Sequence, residues 1–100
     1  MPLALYFRPS FDRSLKKLDA QQIKTVRLIL ETLELYYSSG CDLEKAKRIS
    51  SKFFYKKLRT PYYEAGVNAH LRVVIRREDD QCIAMLAGNH NQIRQFLLDV

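Results

Sequence analysis

The chain has 100 residues, 47% apolar and 28% charged, which is enough for one packed core and too little for two. Seventeen Lys and Arg against 11 Asp and Glu leave a formal charge of +6, and the pI near 9.5 points to a polyanion partner, nucleic acid first; a basic surface serving only solubility is the competing explanation. No apolar run approaches membrane-spanning length, and the basic and then apolar segments of a signal peptide do not follow Met1-Pro2; Cys41 and Cys82 form neither a disulfide framework nor a zinc knuckle, so the expectation is one cytoplasmic domain over residues 1–100 without a metal or other cofactor.

Leu3 to Arg8 alternates loosely through Leu, Tyr and Phe and predicts a short opening strand, stopped by Pro9. Ser10 stands where a helix N-cap belongs, with Phe11, Leu15 and Leu18 following at i, i+4, i+7. A longer helical face runs through Ile23, Val26, Leu30, Leu33 and Tyr37, opened by a capping box of Asp19 and Gln22 and closed by Gly40. These two helices predict a hairpin, and Cys41 to Ser51 a connector with one helical turn. Lys52 to Arg59, "KFFYKKLR", reads as an aromatic and basic strand ending at Thr60-Pro61, and Tyr62 to Val67 as the next. In Leu71 to Arg77, Leu71, Val73 and Ile75 point one way, Arg72, Val74 and Arg76 the other. Glu78 to Gln81 is a polar turn. Cys82 to Ala87 is almost wholly apolar, as for a strand buried on both faces; Gly88 and Asn89 turn the chain out of the sheet. Asn91 is expected to help begin a short last helix, pinned by Ile93, Phe96 and Leu97. The order predicts an α+β fold: N-terminal strand, helical hairpin packed on one face of a twisted, mainly antiparallel sheet, short C-terminal helix.

That order, with "YEAGVNAHLRVVIRREDD" and "GNHNQIRQFL", resembles the RelE/ParE superfamily of toxins from prokaryotic toxin–antitoxin modules over nearly the whole chain. RelE-type members cut messenger RNA, usually within the ribosome, whereas ParE-type relatives poison DNA gyrase on the same scaffold; fold alone does not choose between them. The resemblance implies a RelE-like type II toxin: a metal-independent endoribonuclease that inhibits translation and binds a cognate antitoxin in a hetero-oligomer. A gyrase poison, or a catalytically weak homologue that only binds its antitoxin, is the alternative.

By the same resemblance Arg72 holds the scissile phosphate and His90 transfers a proton or steadies charge. Arg94 lies where classical members often carry a tyrosine, and Glu64 stands in place of paired lysines as a possible base. The chemistry asks for such groups: a ribose 2′-OH attacks the adjacent phosphorus, which needs a base, an acid for the leaving oxygen, and cations facing the phosphorane. Lys52, Lys56, Lys57 and Arg76 are the expected RNA-binding cations. Each also has a plain structural role open to it, above all a cross-strand pairing of Arg72 with Glu64.

Overall fold

The computed structural model describes residues 4–100, so the start of the predicted strand at Leu3 and the Met1-Pro2 segment lie outside the described residues. Strand β1 (Ala4–Phe7) leads through Arg8 into helix α1 (Pro9–Leu15). Pro9 occupies the first helical turn, where its missing N–H is no loss. Ser10 is therefore inside the helix and not its cap; its hydroxyl donates instead to the Met85 carbonyl at 2.7 Å. Helix α2 (Ala20–Ser38) opens on the capping box read in the sequence, with Gln22 N–H donating to Asp19 and Asp19 N–H to Gln22. It closes as a Schellman motif: Gly40 N–H reaches the Tyr37 carbonyl and Cys41 N–H that of Tyr36, with both residues at positive φ, 77° and 63°. One further turn, α3 (Leu43–Ala46), is capped by Asp42.

Four more strands follow: β2 (Phe54–Arg59), β3 (Tyr62–Gly66), β4 (Arg72–Glu78) and β5 (Gln81–Gly88). The sheet runs β1-β5-β4-β3-β2; β1 pairs parallel to β5 and every other pair is antiparallel. On one face α1 and α2 press Phe11, Val26, Ile29, Leu33 and Tyr37 against Ala65, Val73, Ile75, Cys82 and Ala84. This layer is the main core, and the removal of its apolar surface from water is what drives it together.

The last helix, α4 (His90–Asp99), departs from the expectation of helices on one face only. It lies across the opposite face, where Ile93, Phe96 and Leu97 meet Tyr62, Val74 and Met85. Its cap is Asn89, in a capping box with Gln92, and not Asn91: Gln92 N–H donates to Asn89 Oδ1 at 2.9 Å and Asn89 N–H to Gln92 Oε1 at 2.8 Å. At its other end the Arg59 guanidinium donates to the carbonyls of Leu97 and Val100, satisfying acceptors that a helix end leaves open. Among the described residues no helix is long and apolar enough to cross a membrane.

Candidate functional site

Because paired strand residues share a face, the register sets what stands beside what. Arg72 is opposite Gly66 on one side and Gly88 on the other, and Gly66 in turn is opposite Phe54, so one row crosses four strands. The next row holds Lys56 and Glu64 as direct partners, with Val74 beyond. Only the far part of this face is covered by α4, which leaves an open groove of about 430 Å³ between Lys52, Phe54, Lys56, Val67, Asn68, Ala69 and Arg72. Its floor is apolar and its rim carries three cations.

Arg72 reaches from β4 to Glu64 on β3, donating from Nη1 to Oε1 at 3.0 Å, and the Lys56 ammonium meets the same oxygen at 3.2 Å. Glu64 is only 1% exposed, Arg72 18% and Lys56 59%. The carboxylate is thus beneath the two cations and oriented toward them, which is the cross-strand pairing of Arg72 with Glu64 that the sequence left open. The Arg72 guanidinium sits 5.5 Å from the centre of the Phe54 ring, and its buried Nε has no hydrogen-bond partner among the described residues. A buried donor left unpaired costs about 1–3 kcal/mol, which the bonds from Nη1 to Glu64 and from Nη2 to the Ala69 carbonyl offset. The hairpin that brings Arg72 to this place is shaped by Asn68, whose Oδ1 accepts from the N–H groups of His70 and Leu71.

His90 is the first residue of α4 and exposed, two residues beyond Gly88, the strand partner of Arg72. It therefore borders the same end of the sheet. Arg94 is exposed one turn further along α4. The four RNA-binding candidates separate. Lys52 and Lys56 line the groove. Lys57 is paired with Tyr63, so it projects from the opposite face, where Tyr63 stacks on Tyr55. Arg76 is four residues along β4 from Arg72, the strand's one residue on the groove, hydrogen-bonded to Glu78 and lying over the Tyr62 ring; the bond to Glu78 raises its pKa further. Phe54 and Asn68 are the parts of the site that the sequence reading did not assign. A Val-Asn-Ala-His stretch between two strands signals a side-chain-built turn, which was the available sign for Asn68.

Among the described residues no cluster of three His, Cys, Asp or Glu could hold a metal. The arrangement can nevertheless bind an oxyanion: a planar guanidinium fork, an exposed ammonium and a second lysine converge on one trough, and the fork geometry suits phosphate oxygens.

No family model and no curated protein sequence matches the chain. Solved structures do. The RelB-RelE antitoxin-toxin complex from Methanococcus jannaschii contains a chain 20% identical to this one, with 91% of this chain and 96% of that chain covered at a TM-score of 0.59. A copper-bound mutant toxin from Helicobacter pylori is 21% identical over 93% of this chain and 99% of its own, with a TM-score of 0.56. The RelBE2 toxin-antitoxin complex from Mycobacterium tuberculosis matches at 12% identity over 90% and 100%, with a TM-score of 0.51. Identity at this level speaks for the backbone alone, and what it establishes is that this α+β chain has the RelE-like toxin fold.

Proposed function

We propose that the whole chain is one toxin domain of a toxin–antitoxin pair and acts in the cytoplasm as a metal-independent endoribonuclease on messenger RNA at the ribosome, held silent by its antitoxin in a hetero-oligomer. The observation that carries this reading is the open groove in which Arg72 is mounted on a solvent-excluded carboxylate, with His90 at the same end of the sheet. A structural ion pair alone would not need an open trough beside it, nor two further lysines on its rim.

In this reading an RNA phosphate takes the Arg72 fork and Lys56, and both cations loosen their hold on Glu64. The freed carboxylate accepts the proton of the 2′-OH as that oxygen attacks phosphorus. His90 gives a proton to the departing 5′-oxygen, leaving a cyclic phosphate on one fragment, and Arg72 faces the charge that develops between them. Arg94 assists from α4 as a lesser contact. The test is cleavage of synthetic RNA by the purified chain, alone and with ribosomes, in the presence of a chelator. Cyclic-phosphate ends should form, and His90→Gln, which keeps size and hydrogen bonding but not the exchangeable charge, should lower the rate by about 100-fold or more with an unchanged melting temperature. Absence of RNA products in both settings, together with gyrase-dependent DNA breaks in expressing cells, would replace this reading with a gyrase poison.

A further inference from the structure

A second cleft lies at the other edge of the sheet from the groove. It measures about 350 Å³ and is formed by Arg8, Pro9, Ser10, Arg13 and Met85. Both arginines are exposed, and neither forms an ion pair among the described residues. Asp12 is their acidic neighbour in α1: next to Arg13 it does not face it, and although it lies four residues from Arg8, a spacing that allows contact, the two form no ion pair. The cleft is rigidly attached to the strand that leads to His90. Arg8 N–H donates to the Ala84 carbonyl at 3.0 Å, the Ser10 hydroxyl to that of Met85, and the Ser14 hydroxyl accepts from Ala87 N–H at 3.0 Å. These bonds lay α1 along β5 toward Gly88, where Arg72 is the strand partner on the far side and α4 begins.

The strand order places β5 between β1 and β4, so His90 stands between the groove and the cleft. From Arg72 to Arg8 is two strand spacings sideways, about 10 Å, and three residues along the strand, about 10 Å. A single RNA strand covers that separation within a few nucleotides. We propose that the Arg8–Arg13 cleft is a phosphodiester-binding site for the stretch of RNA that continues past His90 from the groove, so that the substrate is held on both sides of the cut. This rests on the ribonuclease reading. Two guanidinium groups without a counter-ion at a cleft mouth fit phosphate oxygens, and their place in line with Arg72 and His90 favours a continuous polyanion.

The experiment measures the affinity of the full chain for a 2′-O-methyl RNA dodecamer, which cannot be cut, across a range of salt. Each neutralised phosphate on a single strand contributes about 0.7 to the slope of log affinity against log salt. The doubly substituted R8Q/R13Q chain should therefore show a slope shallower than wild type by about 1.4, whereas R8K/R13K, which keeps both charges, should hold the wild-type slope. A melting curve within about 2 °C of wild type shows that R8Q/R13Q is folded, as expected for exposed side chains outside the core. A slope unchanged in R8Q/R13Q, while Arg72→Ala still abolishes RNA cleavage, overturns the cleft alone and leaves the ribonuclease reading standing. Loss of antitoxin binding with RNA binding intact also overturns it. If wild type shows no salt-dependent RNA binding at all, both readings fall.

Discussion

Replacing Arg72 by alanine should damage the fold as well as the chemistry, and the two effects can be separated. The side chain is the main partner of a carboxylate that is 1% exposed. Deleting one member of a buried ion pair costs roughly 3–5 kcal/mol, because the survivor is left charged and desolvated. Here Arg72 keeps 18% exposure and Lys56 remains 3.2 Å from the same oxygen, so the low end applies, about 3 kcal/mol. In a domain of this size each kcal/mol moves the melting temperature by about 4–8 °C, which predicts a drop of roughly 12–24 °C for Arg72→Ala. Arg72→Lys retains a cation for Glu64 and should lose only about 1 kcal/mol, yet it lacks the planar fork and should cleave RNA as poorly as the alanine variant. If the stranded charge is the cause, adding Glu64→Gln to Arg72→Ala should recover much of the lost stability. The assays are thermal unfolding followed by circular dichroism and RNA cleavage on the same preparations. Arg72→Ala melting within about 2 °C of wild type, or Glu64→Gln deepening the loss instead of offsetting it, would refute this account of the pair.

Two further predictions concern the scaffold. Ser14→Ala removes the hydroxyl that accepts from Ala87 N–H and donates to the Phe11 carbonyl, so a buried amide loses its partner; stability should fall by about 1–3 kcal/mol, and the Ala87 amide should exchange with solvent markedly faster, as seen by hydrogen exchange. Burial raises the phenol pKa of Tyr36, Tyr37 and Tyr55, that of Tyr55 to about 12, so their neutral forms favour the folded state. That contribution is complete below the ordinary phenol value of 10.0 and is lost as pH climbs through the folded values, so stability should be flat up to about pH 10 and decline from there toward pH 12, read by melts alongside tyrosinate absorbance; a decline starting well below pH 10 would contradict it.

The fold was readable where a local signal coincided with a burial pattern. Asp19 and Gln22 form the capping box their spacing announces, and Arg72, Val74 and Arg76 do face away from Val73 and Ile75. β5 is buried on both faces as its apolar run predicts, but the sequence does not announce that its register slips against β4 between Val74 and Ile75, with Met85 the extra residue. Ala84 and Ala87 then meet the same core despite their odd separation, which no strict period of two foretells. Pro9 moved the start of α1 ahead of Ser10 because proline is preset for the first helical turn. At the site, the types Arg72, Glu64 and Lys56 were legible, but not the depth of Glu64. Burial of a carboxylate depends on which residues of neighbouring strands flank it, and that is decided by pairing between distant segments. The same limit hid the face of Lys57, since only its pairing with Tyr63 assigns it.

The row that holds Arg72 has glycine on either side, and neither glycine is there for an unusual backbone angle. A methyl group at Gly66 would come 2.8 Å from the Phe54 ring, and one at Gly88 would come 2.6 Å from Gln92 Oε1, the atom that closes the cap of α4. The two positions therefore differ in how their sequence can drift. At residue 66 an added methyl has to push aside the end of the Phe54 ring, so bulk there trades directly against the aromatic wall of the groove. At residue 88 it has to push aside the Gln92 side chain that closes the cap, so bulk there falls on the footing of His90.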